Sequence, residues 1–241
     1  MTKHVTRMTI YDADHYTDEQ REAIVQSYPE HEREARSKGI PQLGSGRIYP
    51  VAEESIKETA IEIPDHWARI VGMDFGWDHP TAAVWMAWDR DADAFHVYDC
   101  YKVAEQTPVI HAAAIKPRGD WIPIAWPHDG YQHDKGSGLA LRDQYVDLGL
   151  KMHTEHSTWE KGGFGVEAGV QLILDLMRTS RFKVAEHLED WFEEWRLYHR
   201  QNGKIVKEYD DLLDATRQAI MMVRIATTRP TPTKMKFKSE W

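Results

Sequence analysis

Carboxylates at predicted strand ends are the strongest chemical signal in the chain. Asp74 follows the apolar run "ARIVGM", and Asp129 follows the run "WIPIAWPH". Asp211 and Asp214 lie three residues apart at the start of the last predicted helix, so both fall on one helix face. Hard oxygen ligands of this kind suit Mg²⁺ or Mn²⁺. Two such ions would activate a water and stabilise the leaving oxygen of a phosphodiester.

Each acidic position also has a simpler explanation. An Asp that follows a strand and precedes a turn is a common turn former. Acidic residues at a helix start, here Asp210 together with Asp211 and Asp214, complement the helix dipole. Only their joint position at matching ends of successive elements favours a metal site over these readings.

Two nucleotide-binding classes are excluded by missing motifs. Residues 74–76 spell D-F-G, but no Gly-rich G-x-G-x-x-G loop, strand lysine or H-R-D loop precedes them, as a protein kinase requires. The chain also contains no G-x-x-x-x-G-K-[ST] phosphate loop. We therefore expect neither kinase nor ATPase activity from these residues.

The elements that must position the carboxylates follow from hydrophobic patterning. Strands are predicted at 68–74, 81–88 and 94–101, with a further strand at 122–126 after an intervening helix. Helices and short strands alternate behind them up to residue 226. This order predicts an α/β fold with a mixed sheet, three antiparallel strands followed by parallel strands, and helices on both faces.

Composition places limits on the class of protein. The chain has 241 residues, a net charge of −9 and one cysteine, Cys100. One cysteine excludes an internal disulfide and fits a reducing cytosol. No apolar run is long enough to span a membrane, and the first residues carry no secretory signal pattern. The acidic balance argues against a nucleic-acid binder, although bound metals would reverse the field locally.

Four stretches, taken in order, make the chain resemble a known family. They are "GSGRIYP", "IVGMDFGWDHPTAAVWMAWDRD", "IPIAWPHDG" and "WFEEWRLYHRQNGKIVKEYDDLLDATRQAIMMVR". In this order they resemble the C-terminal nuclease domain of the large terminase subunit of tailed bacteriophages, which has the RNase H/RuvC-integrase fold. The resemblance covers about residues 1–226.

The resemblance implies roles for the acidic residues. A metal-dependent endonuclease of this family cleaves double-stranded viral DNA concatemers during genome packaging with two Mg²⁺ or Mn²⁺ ions. Asp74 would bridge both ions, Asp129 and Asp211 would each hold one, and Asp214 would be a fourth ligand or lie behind the ligands. Supporting roles would fall to Gly76, at a sharp turn beside the metals, and to Asp78, His128 and Asp210.

Basic residues near the acidic cleft are the candidates for phosphate contact, since duplex binding requires Lys and Arg. They are Lys135, Lys161, Arg196, Arg200, Lys204 and Lys207. Any single one of them is equally consistent with an ordinary solvated surface.

The resemblance also divides the chain and suggests partners. Residues 1–66 would be a linker or remnant following a missing ATPase domain, 67–226 the RNase H-like nuclease domain, and 227–241 a flexible basic tail. In the full packaging machine the partners would be DNA, the ATPase domain, the portal and the small terminase subunit, in the host cytoplasm. We expect a monomer in isolation and no membrane partner.

Three alternatives remain open from sequence alone. The fold is shared with RuvC-like junction resolvases and other RNase H-like nucleases, and the D-x-x-D-A pattern at 211–215 resembles the last motif of the resolvases. An actin-like sugar kinase half is disfavoured, because 241 residues without a repeat cannot supply two lobes. An inactive prophage remnant that serves as a docking module is the third.

Overall fold

A computed structural model describes residues 8–28, 33, 36–39, 46–133 and 138–231. Lys135 and residues 232–241, most of the predicted basic tail, lie outside these ranges.

Six strands of the described chain form one mixed sheet in the order β1-β6-β4-β3-β2-β5. The strands β2, β3 and β4 are antiparallel neighbours, whereas β5 pairs parallel with β2, and β6 pairs parallel with both β4 and β1. The bounds are β1 Lys57–Glu58, β2 Ala68–Asp74, β3 Thr81–Asp89, β4 Ala94–Val103, β5 Ile124–Ala125 and β6 Phe182–Ala185. This confirms the predicted fold class, including the order of antiparallel and parallel strands.

Side chains of the central strands alternate between two cores, one on each face of the sheet. Ile70 of β2 and Val84 of β3 contribute to the larger core, whereas Val71 and Trp85 contribute to the smaller one. Because both faces are apolar, helices must cover both.

Helices cover each face as the patterning predicts. The bounds are α1 Asp18–Ser27, α2 Glu53–Ile56, α3 Pro108–Ile115, α4 Leu141–Asp147, α5 Val166–Arg178, α6 Glu189–Leu197 and α7 Asp211–Met221. Residues of α5, α6 and α7 fill the larger core, and residues of α3 and α4 fill the smaller one. In α5 the buried residues Val170, Ile173, Leu174 and Met177 follow the spacing of one helix face.

Two local motifs have the structure that their residue types favour. Thr17 and Gln20 form a capping box at the start of α1. The "QNGK" stretch forms a hairpin between β7 Arg200–Gln201 and β8 Lys204–Ile205. Asn202 and Gly203 both have positive φ, 52° and 78°, which is the backbone geometry that favours Asn-Gly in two-residue turns.

Residues 46–58 pack into the same unit as the sheet, although the sequence assigned them to a linker ending at residue 66. Ile48, Tyr49 and Ile56 are buried in the larger core, and β1 extends the sheet beside β6. Glu53 of α2 accepts two hydrogen bonds from Arg196 of α6, at 2.6 and 2.7 Å. The packed unit therefore begins before residue 67, because these side chains supply part of its core.

Within the described residues, no helix combines the length and the apolar character needed to cross a lipid bilayer.

Candidate active site

Asp74 is the last residue of β2, and the chain turns immediately after it. Thr81 Oγ1 donates to the Gly76 carbonyl at 2.9 Å and accepts from the Gly76 amide at 3.2 Å. A Cβ at Gly76 would lie 2.2 Å from the His79 carbonyl oxygen, so no larger residue fits the turn. The tight turn directly follows Asp74 at the end of β2, and the role of Gly76 beside a metal stays a prediction.

The Asp74 carboxyl lies among other carboxylates. Burial raises its pKa well above the usual range, and the neighbouring Asp214, Asp129 and Asp211 raise it further, while Arg217 opposes them. Like charges brought together in a poorly solvated place favour either a bound proton or a bound cation. Asp74 is therefore the centre of the acidic group.

Asp129 reaches this group from the neighbouring strand. It lies in the short 3₁₀ turn His128–Tyr131 that follows β5, the parallel neighbour of β2. Its Oδ1 is buried and has no hydrogen-bond partner among the described residues. Burial raises the pKa of Asp129, opposed by the backbone amides of Asp129 and Gly130 and by His128.

Asp214 approaches from the first turn of α7 and is held by two cations. Lys207 Nζ lies 2.7 Å from Asp214 Oδ2, and the Arg217 guanidinium lies 3.2 Å from the same oxygen. Burial raises the pKa of Asp214, but Arg217 and Lys207 outweigh this effect and lower it overall. Asp214 is thus an ionised carboxylate beside Asp74.

Asp211 is directed to a different set of partners. Its Oδ2 lies 3.5 Å from Lys102 Nζ, and Lys102 also pairs with the buried Glu194. The influence of Asp211 on Asp74 is weaker than that of Asp214 or Asp129. The structure thus places Asp129, Asp214 and Asp211 all near Asp74, with Asp211 paired to Lys102 and Asp214 to Lys207 and Arg217. Their ranking as ligands stays a prediction.

Glu194, which the sequence analysis missed, fixes the start of α7. Its Oε2 accepts hydrogen bonds from the backbone amides of Leu212 at 2.7 Å and Leu213 at 3.2 Å. Burial raises the pKa of Glu194 to about 7, with Lys102 opposing. The available signal was a glutamate beside Trp195 and three residues after Trp191, on an otherwise apolar helix face.

Gly72 determines how closely α7 approaches β2. A Cβ at Gly72 would lie 1.9 Å from the Ala215 carbonyl oxygen and 2.7 Å from the Ala219 amide nitrogen. Helix backbone therefore packs directly on strand backbone, two residues before Asp74 and one residue after Asp214. A glycine inside a strand pattern signals such an approach, but the sequence analysis did not use it.

The acidic group fits a divalent cation in chemistry. The donor atoms are carboxylate oxygens, one of which is buried without a partner, and the pKa of two of the carboxyls is raised by crowding and burial. Among the described residues, no three His, Cys, Asp or Glu side chains already stand at metal-binding distances. Instead, Asp214 is paired with Lys207 and Arg217, and Asp211 is paired with Lys102.

A family model described as a terminase RNaseH-like domain matches residues 71–223. The chain belongs to this family. A second family model, described as the N-terminal part of the T4-like-virus type of terminase large subunit, matches residues 1–56. All the candidate carboxylates lie within the terminase RNaseH-like match.

Individual relatives agree with this family. The chain is 54% identical over 223 residues to the terminase large subunit of Salmonella phage P22, covering 92% of this chain and 45% of that protein. It is 54% identical over 219 residues to the large subunit of Enterobacteria phage LP7, covering 90% of this chain and 46% of that protein. The chain thus spans about half the length of these terminase relatives.

Solved terminase structures share the fold. The P22 large terminase nuclease domain superimposes with a TM-score of 0.72 at 49% identity, covering 77% of this chain and 96% of that chain. The nuclease domain of the phage SPP1 large terminase, solved with bound Mn, has a TM-score of 0.52 at 17% identity, covering 69% and 95%. The second likeness supports the fold alone.

The predicted supporting residues of this terminase-type site are distributed around it. Asp210 is buried beside Lys207, at 3.1 Å, and burial raises its pKa. His128 precedes Asp129 and is exposed, with its ring 4.9 Å from the ring of His156. Asp78 is exposed in the loop after β2. These three roles stay predictions.

The six cations predicted to contact DNA differ in their availability. Arg196 is paired with Glu53, and Arg200 is paired with Glu167. Lys207 is half exposed but is paired with Asp214 and Asp210. Lys161 and Lys204 have exposed side chains, and Lys135 lies outside the described residues. The structure therefore leaves Lys161 and Lys204 as the better-placed candidates among those it describes.

Proposed function

We propose that the chain is a divalent-metal-dependent endodeoxyribonuclease that cuts double-stranded phage DNA during genome packaging. The observation that carries the proposal is that Asp74, at the end of β2, lies among Asp214, Asp129 and Asp211, where burial and these acidic neighbours raise its pKa. Membership of the terminase RNaseH-like family and 54% identity to the P22 terminase large subunit support DNA as the substrate.

In this proposal Asp74, Asp129 and Asp214 would hold two Mg²⁺ or Mn²⁺ ions, and Asp211, here paired with Lys102, would be a further ligand. When bound, the metals would supply an activated water and charge stabilisation for the leaving oxygen. Asp129 Oδ1 is suited to its role, because it is buried and has no competing hydrogen bond among the described residues.

The cations around Asp214 keep the acidic group intact without metal. Lys207 is half exposed on the segment before α7, so it is able to leave Asp214 and contact a phosphate instead. Arg217 has an 8% exposed side chain and stays in the protein interior. We infer that Lys207 is the exchangeable partner and Arg217 the permanent one.

The remaining parts of the proposal concern substrate and setting. Lys161 and Lys204, with exposed side chains, are proposed to contact DNA phosphates, which makes binding dependent on salt. The proposed setting is the cytoplasm of the bacterial host, in a machine that also contains the ATPase part of the large subunit, the portal and the small subunit.

The test is metal-dependent cutting of supercoiled plasmid by the purified chain. With Mn²⁺ or Mg²⁺ we expect nicked and linear products, and none with EDTA. The cutting rate of Asp74→Asn should be at least about 100-fold lower. This is the upper end of the loss seen when a residue that only supports a metal ligand is changed, and Asp74 is itself a proposed ligand. Asp91→Asn, an exposed change in the β3–β4 turn, is the matched control. If the folded chain cuts no DNA with any divalent metal, the proposal that this chain is a nuclease without its partners is refuted.

A further inference from the structure

A cavity of about 240 Å³ opens directly beside the acidic group, on the α3–α4 face of the sheet. Asp129 forms part of its wall, so the cavity adjoins the candidate metal ligands. Phe75 and Trp77, which follow Asp74 in sequence, form another part. No step of the proposed reaction uses this space.

The cavity wall includes a buried imidazole, one of whose two ring nitrogens has no hydrogen-bond partner among the described residues. His111 of α3 lines the cavity and is 1% exposed. Its Nδ1 lies 2.9 Å from the Tyr101 hydroxyl, whereas its Nε2 is buried without a hydrogen-bond partner among the described residues. A buried nitrogen left unpaired is costly unless a ligand completes it.

Aromatic side chains form the other walls of the cavity. Phe75 stacks on Tyr145, with ring centroids 5.5 Å apart and an interplanar angle of 18°. Trp77 is 57% exposed, and its carbonyl accepts from the Glu105 amide at 3.0 Å, which ties the Trp77 loop to the chain leading into α3. Gln106, in that chain, is exposed at the lining. Aromatic walls with a few polar groups suit a planar heterocycle.

We propose that this cavity binds an unstacked nucleobase of the DNA strand being cut, with Nε2 of His111 bonded to an edge of the base. The proposal rests on the proposed nuclease function, because the bound strand is what delivers a base to this place. A phosphate is a poor occupant, since Asp129 in the wall would repel an anion. A nucleobase is neutral, stacks on aromatic side chains regardless of its identity, and carries hydrogen-bonding edges.

The test measures binding rather than cutting. Asp74→Asn serves as the parent, so that DNA stays intact. Fluorescence anisotropy compares fluorescein-labelled duplexes that are fully paired, that carry one unpaired nucleotide, or that carry an abasic nucleotide at the same place. We expect about tenfold tighter binding to the unpaired nucleotide, because it has already left the stack. The abasic duplex should show no such gain, since it is flexible but has no base.

Two further variants in the Asp74→Asn background locate the effect. Gln106→Trp should block the cavity and abolish the tenfold preference. Gln171→Trp, at an exposed position of α5 on the other side of the sheet, should keep it. Thermal unfolding checks that both variants are folded, and Trp77→Ala serves instead of Gln106→Trp if that variant does not fold.

Equal affinity for paired and unpaired duplexes overturns the proposal, as does a preference that survives in the folded cavity variant or extends to the abasic duplex. The plasmid assay is read separately. A preference without plasmid cutting supports the base site and rejects the nuclease function in this chain. Cutting without a preference does the reverse.

Discussion

At the scale of single residues, the site is a balance between carboxylates and the cations that hold them. Asp214 has two cationic partners, one of which, Lys207, is half exposed. Asp211 is paired with Lys102, which is also paired with Glu194. A divalent ion bound beside Asp74 would therefore compete with Lys207 for Asp214 and with Lys102 for Asp211.

This geometry predicts that the two helix aspartates contribute unequally to cutting. Asp214→Asn should lower the rate of plasmid nicking by at least about 100-fold, because it removes a ligand. Asp211→Asn should lower it by less than about tenfold. The measurement is the initial nicking rate of each variant at saturating Mn²⁺. Equal losses would show that Asp211 and Asp214 contribute equally to cutting.

Glu194 is a residue whose effect should appear in stability. Glu194→Ala should lower the free energy of unfolding by about 3 kcal/mol, since it leaves Lys102 and two amides of α7 without their acceptor. Glu194→Gln should cost less, because an amide oxygen still accepts from Leu212 and Leu213. Urea unfolding measures both, and Glu193→Ala, an exposed neighbour on α6, is the matched control. Equal losses for all three would contradict the role assigned to Glu194.

The sequence indicated where the candidate carboxylates lie but not how they are paired. Asp74 and Asp129 follow apolar runs, and that position was readable without a structure. Asp211 and Asp214 share one helical turn, so spacing cannot separate them. Their different partners, Lys102 of β4 for Asp211 and Lys207 for Asp214, became visible only in the fold.

At the scale of elements, the contact between β2 and α7 brings Asp214 near Asp74. The close approach at Gly72 allows Asp214 of α7 to share a region with Asp74 of β2. Gly72→Ala should force the helix away from the strand and cost about 1–3 kcal/mol of stability. It should also reduce cutting, because a displacement of about 1 Å at a catalytic group costs on the order of 100-fold.

The control for this change is Gly165→Ala, just before α5. Gly165 has an ordinary φ of −60°, and a Cβ there meets no atom within 4 Å. Its stability and cutting rate should match those of the parent. The comparison needs a urea midpoint and a nicking rate for each variant, and a Gly72→Ala protein with unchanged activity would mean that the close approach is not required.

Regular elements were predictable because their patterns repeat. The strands β2, β3 and β4 were placed within a few residues because each is a short, largely apolar run between turn residues. The segment 46–58 was not, because its contribution depends on three buried side chains and one ion pair between Glu53 and Arg196, which no local pattern reveals. The glycine inside β2 signals a close backbone approach, but its partner could not be read from the sequence, since it lies more than 140 residues further along the chain.

At the scale of the whole molecule, the acidic groups make stability depend on pH. The pKa of Asp74, Asp129 and Asp210 is raised by burial, and that of Glu194 is raised to about 7. A raised pKa means that the folded state holds its proton more tightly than the unfolded state. Stability from these groups is therefore present below about pH 4, their ordinary range, and is lost as the pH rises towards the folded value.

Asp214 and Glu53 act in the opposite direction. Despite burial, the pKa of Asp214 is lowered by Arg217 and Lys207, and that of Glu53 by Arg196 and Lys57. Their contribution is present above about pH 4 and is lost as the pH falls through the lowered folded values. The metal-free chain should therefore be most stable near about pH 5, and its melting temperature should fall between about pH 5 and pH 8.

A divalent metal should reverse that fall. Because it binds the folded chain, a concentration 100 times the dissociation constant adds about 2.7 kcal/mol. For a chain of this size each kcal/mol raises the melting temperature by about 2–4 °C, so we expect Mn²⁺ to raise it by about 5–10 °C at pH 8 and by less at pH 5. Asp74→Asn should raise the metal-free melting temperature at pH 8, since it removes the most crowded charge, and should abolish the response to Mn²⁺. Differential scanning fluorimetry measures the melting temperature of the parent chain and of Asp74→Asn, each in EDTA and in Mn²⁺. An unchanged response to Mn²⁺ in Asp74→Asn would show that the metal binds away from these carboxylates.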